Sequence, residues 1–375
     1  MRDLLIDYER FSKTGRPFGR AVVTSVWGSA PRPEGSSMLA SDEGAIAGSV
    51  SGGCVESATA LEIEQAITRG SPKLVTYGVT DERAWEVGLA CGGTIKVFVE
   101  PAVRPEILEA ARGRGGEVVA TIIAGPGLGS SMRIFEDGKT AGTLPGVPQE
   151  SVRDGALAAL KKESSASSEF QSAAGPLTIF LEVFPRQPRL VVFGGVQIAV
   201  ALVPLAKALG YRTIVADGRH AFIGRDRFPD ADELIQAWPE KAFERIGLDA
   251  ASYVCVLSHD PKFDEPALQI ALRSPAVYVG AIGSRKTQAA RRERLREAGL
   301  TDEQIARLHG PIGLDLGGRQ PAETALAILA EMTAARYGGK AVRRKGEEAE
   351  KHAPSGSEGI SPARGDRNPP APTPG

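Results

Sequence analysis

The segment Gly35-Ser36-Ser37-Met38 recurs as Gly129-Ser130-Ser131-Met132, and the offset of 94 holds beyond it. Gly44 meets Gly138, Ala47-Gly48 meets Ala141-Gly142, Gly52 meets Gly146, and Glu56-Ser57 meets Glu150-Ser151. Each copy reads as strand, turn, strand, glycine loop and helix, then runs on to another strand, over 94–99 and 177–184. A unit repeated at fixed spacing constrains architecture before any single residue does. Chance likeness between two glycine-rich hairpins is the bland alternative; an unbroken offset favours duplication. The copies differ where chemistry would sit. Ser51-Gly52-Gly53-Cys54 becomes Pro145-Gly146-Val147-Pro148, and the second copy has no counterpart of Cys91. A thiol site would therefore belong to the first copy, with the second as structural support.

From Arg189 the pattern changes. Leu190-Val191-Val192-Phe193 is a continuous apolar run ending in Gly194-Gly195, followed by a helix over about 196–209 and Gly210 as its stop. Strands are predicted over 212–217, 253–257 and 276–280. Apolar strands separated by amphipathic helices indicate a parallel sheet buried on both faces. The predicted fold class is α/β: an N-terminal α+β domain with a degenerate internal repeat, then a Rossmann-like doubly wound parallel-sheet domain. The expected boundaries are 1–104 for the first copy, 105–185 for the second copy in the same lobe, and 186–338 for the Rossmann-like domain. Residues 339–375 are rich in Gly, Pro, Ser and charge with almost no large apolar side chain, and are expected to be disordered.

Charge narrows the partners. Lys plus Arg number 45 and Asp plus Glu 46, which gives no overall attraction to nucleic acid or a lipid surface. No apolar run approaches a membrane span, and the acids in the first ten residues do not suit a signal peptide. Three cysteines, an odd and small number, fit a reducing compartment. A cytoplasmic location is expected.

Two cysteines stand beside paired glycines. Cys54 follows Gly52-Gly53 and precedes a helix predicted over 55–68; Cys91 precedes Gly92-Gly93. A thiol at a helix start, behind glycines whose N–H groups are free, suits an anion and a lowered thiol pKa. Glu56 would either position the thiol or complement the helix dipole. Small buried packing cysteines are the alternative, and Cys255, inside a predicted strand, is read as one. Zinc is disfavoured by the lack of a Cys-x-x-Cys pair and by four histidines far apart in sequence.

In the C-terminal part, Asp217 lies 23 residues after Gly194, near the spacing of a ribose-binding acid. Val196, however, occupies the middle-glycine position of Gly194-Gly195-Val196-Gln197-Ile198-Ala199. A β-branched side chain there obstructs a pyrophosphate, which weighs against NAD or NADP. Ser258-His259-Asp260-Pro261-Lys262 falls at the carboxyl edge of the sheet. Asp260 and Pro261 there read as helix cap and first helical residue, leaving His259 unexplained. Gly280-Ala281-Ile282-Gly283-Ser284-Arg285-Lys286 offers N–H groups, a hydroxyl and two cations, a set that suits phosphate as well as it suits a plain strand-to-helix turn.

The run Gly28-Ser29-Ala30-Pro31-Arg32-Pro33 with Gly48 to Glu56, and Gly88-Leu89-Ala90-Cys91-Gly92-Gly93, resemble the N-terminal elements of the XdhC/CoxI family of xanthine dehydrogenase accessory factors. Asp217-Gly218-Arg219, His259-Asp260-Pro261-Lys262, Tyr278 to Arg285, and His309-Gly310-Pro311-Ile312-Gly313-Leu314-Asp315 resemble its C-terminal domain. The likeness spans about residues 15–338. It implies a molybdenum-cofactor chaperone rather than an enzyme. Such a protein binds the finished cofactor (molybdopterin), protects it during sulfuration by a cysteine desulfurase-type sulfurtransferase, and delivers it to a molybdenum hydroxylase. The client would be of the xanthine, aldehyde or carbon monoxide dehydrogenase type, and the chain a homo-oligomer. The candidate cofactor-binding residues are Ser51, Gly52, Gly53, Cys54, Glu56, Cys91, Gly92, Gly93, Gly194, Asp217, Arg219, His259, Asp260, Gly283, Ser284 and Arg285. Cys54 is the candidate molybdenum contact through the bound cofactor, and no catalytic residue is assigned. The family's usual Gly-Ala-Gly-His-Val turn is replaced here by Gly194 to Ile198, which weakens a ligand role for that loop. Two other readings remain: an NAD(P)-dependent oxidoreductase using the C-terminal domain, kept alive by Asp217, and a redox-sensing interaction protein with Cys54 as sensor. The sequence also predicts that the thiol loops and the carboxyl edge of the parallel sheet face one another across a cleft.

Overall fold

The computed structural model describes residues 1–29, 31–78, 93–172 and 174–339. Cys91 and Gly92, and the tail from 340 onward, lie outside the described residues. After helix α1 (Leu5–Lys13), the chain runs through β1 (Phe18–Trp27), β2 (Ser37–Ser41), β3 (Ile46–Gly48), α2 (Glu56–Arg69), β4 (Lys73–Tyr77) and β5 (Thr94–Glu100). It then passes through α3 (Pro105–Arg112), β6 (Glu117–Ala124), β7 (Ser131–Phe135), β8 (Thr140–Gly142), α4 (Gln149–Lys161), β9 (Ala166–Ser172) and β10 (Gly175–Phe184). The two antiparallel sheets have the same strand order: β3-β2-β1-β5-β4 and β8-β7-β6-β10-β9. The repeat seen in the sequence is thus a repeat of topology.

One detail of the offset changes. Strand partners keep the spacing of 94, as Met38 paired with Gly48 and Met132 with Gly142 show. The helices begin at Glu56 and at Gln149, so the loop before the helix is one residue shorter in the second copy. The structural counterpart of Glu56 is therefore Gln149, not Glu150.

Alternation explains why β1 is buried on both sides. Ala21 and Val23 pack under α2 with Ile63 and Ala66. Val22 points the other way and meets Phe98, Ile123 and Phe180 between the two sheets. Helix α4 covers the outer face of the second sheet through Val152 and Ala156. The order is helix, sheet, sheet, helix. Arg20 shares the inter-sheet face with Val22. Its guanidinium donates to Glu100 of its own sheet (3.0 Å), to Ser37 Oγ (2.9 Å) and to Glu182 of the other sheet. Arg104 grips the second oxygen of Glu100 at 2.5 Å. Burial works against the Arg20 charge, but the facing Glu182 and Glu100 outweigh it and raise its pKa.

The C-terminal part comprises β11 (Arg189–Phe193), α5 (Gln197–Ala208), β12 (Arg212–Asp217), β13 (Glu233–Gln236), α6 (Pro239–Ile246), β14 (Ser252–Val256) and α7 (Pro261–Arg273). It continues with β15 (Tyr278–Ala281), α8 (Arg285–Glu297), α9 (Asp302–Ala306), β16 (Leu308–His309) and α10 (Pro321–Tyr337). Its strands form one parallel sheet, β13-β12-β11-β14-β15-β16. Val191 and Phe193 face α6 and α7, while Leu190 and Val192 face α5 and α10. The order reverses between β11 and β14, the place where open parallel sheets of this kind bind ligands at the carboxyl edge.

The two parts meet at the other edge, where the parallel strands begin. Arg336 pairs with Glu163 at 2.9 Å, Arg186 pairs with Glu136, and the Gln187 N–H donates to the Arg114 carbonyl at 3.2 Å. A junction cavity of about 660 Å³ is walled by Met1, Arg2, Glu182, Pro188, Gly210 and Arg336 among others. Strands of five or six residues put the carboxyl edge roughly 16–20 Å away from this joint. The contacts between the two parts thus lie at the edge opposite the one that the expected cleft would use. Arginine ion pairs at the start of the strands set the docking, and no local sequence pattern announces them.

Candidate functional site

The loop that carries Cys54 is built around the side chain of Glu56. One carboxylate oxygen accepts from the Ser49 hydroxyl (2.5 Å) and from the N–H groups of Val50 (3.2 Å), Ser51 (2.9 Å) and Gly52 (3.1 Å). The other accepts from the Ser51 hydroxyl (2.7 Å) and the N–H groups of Gly53 (2.8 Å) and Val55 (3.2 Å). Burial pushes this carboxyl up, but the Ser49 and Ser51 hydroxyls and the Ser51 N–H outweigh it and bring its pKa down to about 2. Gly52 and Gly53 take φ of +83° and +122°, the region in which a side chain would be strained. That conformation turns successive N–H groups inward onto one anion. The expectation of free donors for a ligand is corrected: the anion in this nest is Glu56.

Ser51 is fully buried, and its hydroxyl also accepts from the Cys54 and Val55 N–H groups at 3.0 Å. Cys54 itself is exposed, on a loop fixed from within. Around it, a Cβ at Gly52 would stand 3.5 Å from Pro31, and one at Gly93 would stand 2.5 Å from the Ser29 carbonyl. Pro31 thus stands against the thiol loop, and Ser29 against Gly93. Cys255 is the packing cysteine that its strand predicts. It is fully buried, 4.0 Å from the Met332 sulfur, and burial pushes its thiol up. Among the described residues, no cluster of His, Cys, Asp and Glu is arranged to hold a metal ion.

The second group of candidates gathers at the carboxyl edge: Gly194, Asp217, Arg219, His259, Asp260, Gly283, Ser284 and Arg285. There the crevice at the reversal point is filled by the chain itself. A Cβ at Gly194 would come 2.6 Å from the Ser258 nitrogen, and one at Gly195 would come 1.9 Å from the Phe222 carbonyl. These glycines serve close backbone crossings. Asp217 is fully buried, with one oxygen on the Gly195 N–H and Arg219 Nη2 (2.8 Å each) and the other on the Arg219 N–H and Nε (2.9 and 3.0 Å). Arg219 in turn stacks 3.8 Å over Phe222. Asp217 therefore closes its own loop rather than awaiting a ribose.

Val196 is not the nearest obstruction, since it packs on the core under α5. Val196→Gly is expected to leave NAD and NADP binding undetectable at millimolar nucleotide, measured by calorimetry. Saturable binding by that variant would show that the Phe222 segment yields and that Val196 was the block.

Asp260 caps α7 through the Lys262 N–H at 3.0 Å, with Pro261 at the first helical position, and Ser284 caps α8 through the Thr287 N–H at 3.1 Å. His259 holds φ of +63°, unusual for a residue with a side chain. A cluster absent from the candidate set lies behind the next strand. Glu331 accepts from the Tyr278 hydroxyl (2.7 Å) and the Gly313 N–H (2.8 Å), and faces His309 Nδ1 at 3.3 Å. Burial opposes its charge, yet His309, Tyr278 and the Gly313 N–H bring its carboxyl down to about 2. The motif from His309 to Asp315 was the available signal for it.

The fold agrees with comparisons to known proteins. A family model described as the XdhC Rossmann domain matches residues 190–332, and one described as the XdhC and CoxI family matches residues 12–78. The chain belongs to the XdhC/CoxI family. This XdhC/CoxI chain is 27% identical over 320 residues to a protein of Bacillus subtilis named as a probable xanthine dehydrogenase subunit, covering 83% of this chain and 91% of the relative. It is 28% identical over 322 residues to the molybdenum cofactor insertion chaperone PaoD of Escherichia coli, covering 85% and 84%. A solved structure described as a xanthine dehydrogenase from Bacillus halodurans superposes with a TM-score of 0.71 at 24% identity, covering 88% of this chain and 95% of that one, which bears on the fold alone.

Proposed function

We propose that this chain is a non-catalytic accessory factor that binds the molybdenum cofactor as cargo. It shields the cofactor while a cysteine desulfurase-type sulfurtransferase installs the terminal sulfur, then delivers it to a xanthine dehydrogenase-type molybdenum hydroxylase. The observation that carries the reading is the Cys54 thiol, exposed on a loop that Glu56 holds rigid from inside. Molybdenum is thiophilic, and a thiolate on a pre-organised loop binds it with little ordering cost. Because the loop N–H groups are committed to Glu56, the thiol loop offers sulfur and not an anion cradle. The pterin phosphate would have to be held by other residues. Names borne by the relatives, a cofactor insertion chaperone and a xanthine dehydrogenase subunit, support the same class of role.

Protein purified from cells that make the cofactor, then assayed for molybdopterin and molybdenum, tests this. Cys54→Ala is expected to lower retained cofactor at least tenfold with an unchanged melting temperature. Cys255→Ala, which alters only a packed thiol, is expected to retain it. Undiminished molybdopterin in Cys54→Ala would remove the thiol from the site.

A further inference from the structure

At the joint between the two halves, a cavity of about 320 Å³ is walled by Arg114, Arg186, Arg189 and Arg212, with Asp249 as the acid among them. That volume is at the low end of the roughly 300–1,000 Å³ of small-molecule pockets, so it suits a small ion or the charged end of a larger molecule. Arg189 opens β11, Arg212 opens β12, and the two are direct register partners across this parallel pair. Such partners leave the same face of the sheet on strands about 4.8 Å apart, so the two arginine side chains start out side by side. Like charges placed opposite one another in a sheet are destabilising.

The carboxylates in reach do not balance these cations. Asp249 is shared by Arg186 (3.0 Å) and Arg189 (2.9 Å), and also accepts from the Ser252 hydroxyl (2.9 Å) and the Ala251 N–H (3.0 Å). Glu233 is shared by Arg212 (2.9 Å) and Arg245 (3.1 Å), and Glu136 serves Arg186. Among the described residues, nothing pairs with the Arg114 guanidinium. Arg114, Arg186, Arg189, Arg212 and Arg245 thus share Asp249, Glu233 and Glu136, which leaves an excess of two positive charges. Beside Arg114 the wall is open: a Cβ at Gly115 would find only Glu136 Oε1 near it, at 4.0 Å.

We infer that this cavity is a site for a small dianion, the phosphate group of a phosphorylated small molecule, held between Arg114 of the first half and Arg189 and Arg212 of the second. Guanidinium groups match the oxygens of a phosphate in geometry as well as charge. A dianion there offsets the excess charge and relieves the side-by-side pair at the start of β11 and β12. The site stands apart from the thiol loop, and it does not rest on the molybdenum-cofactor reading.

Titration of the full chain with inorganic phosphate at pH 8, by calorimetry at constant ionic strength with chloride as the balancing ion, tests it. The unaltered protein is expected to bind one phosphate saturably and to show no saturable binding of acetate, a single charge. Arg212→Gln is expected to weaken phosphate at least tenfold. Arg114→Gln removes no ion pair, and is expected to weaken phosphate at least threefold with an unchanged melting temperature. Gly115→Glu, which carries its own carboxylate to the wall, is expected to abolish saturable binding. Arg285→Gln, at the start of α8 and outside the cavity, is expected to leave phosphate binding intact. If Arg212→Gln does not fold, Arg114→Gln and Gly115→Glu decide. Absence of saturable phosphate binding, acetate bound as tightly as phosphate, affinity unchanged in Arg114→Gln or Gly115→Glu, or a loss in Arg285→Gln equal to theirs would overturn the assignment.

Discussion

Arg20→Ala is expected to lower the unfolding free energy by about 3–5 kcal/mol, the cost of breaking a buried ion pair from one side. Arg20 is fully buried and joins Glu100 of one sheet to Glu182 of the other. Its removal strands Glu182 and leaves Glu100 to Arg104, which also pairs with Glu106. Adding Glu182→Gln should recover part of the loss, since it removes the stranded charge; residues in one network are coupled rather than additive. Urea denaturation of the single and double variants measures both effects. A loss below about 1 kcal/mol would mean that water reaches the network and screens it.

The second large effect is expected at Glu56. Glu56→Gln should loosen the thiol loop and lower cofactor retention about as far as Cys54→Ala does. Every group that meets the Glu56 carboxylate is a donor, so an amide NH₂ there would face other donors. The second copy shows what an amide loop requires. Gln149 accepts from the Leu144 N–H at 3.2 Å and donates to the Leu144 and Val147 carbonyls at 2.7 and 2.9 Å. The first loop has no such mixture. The pH dependence follows from the carboxyl's pKa of about 2 against its ordinary value of 4.5. A depressed pKa stabilises the folded chain above the ordinary value, and the contribution fades as pH falls from about 4.5 to about 2. For a carboxylate partly open to solvent this amounts to about 1–2 kcal/mol. Melting temperatures of the unaltered protein and Glu56→Gln should differ at pH 7 and converge toward pH 2. A constant gap would show that the carboxylate's charge is not what holds the loop.

What could be read from the sequence was whatever left a local pattern. Continuous apolar runs such as Leu190 to Phe193 announce a parallel sheet, and Arg212 to Asp217 forms a strand over the residues its pattern marks. The constant offset announces two sheets of one topology. Gly-Gly-Cys announces a loop before a helix. The remainder depends on contacts between distant residues. No periodicity tells that the Phe222 carbonyl seals Gly195, or that Arg336 meets Glu163. Strand β16 has two residues, too few to alternate. Glu56 was visible as an acid at a helix start, where dipole compensation is the ordinary reading. Its deeper role depends on Gly52 and Gly53 curling the chain back over it, a three-dimensional fact.

The joint at the beginning of the parallel strands has a consequence for transmission between the halves of the molecule. Any coupling between a ligand on the N-terminal half and one at the carboxyl edge of the parallel sheet would have to pass through this joint, whose arginine–glutamate pairs are among the contacts that a shift of one half would break.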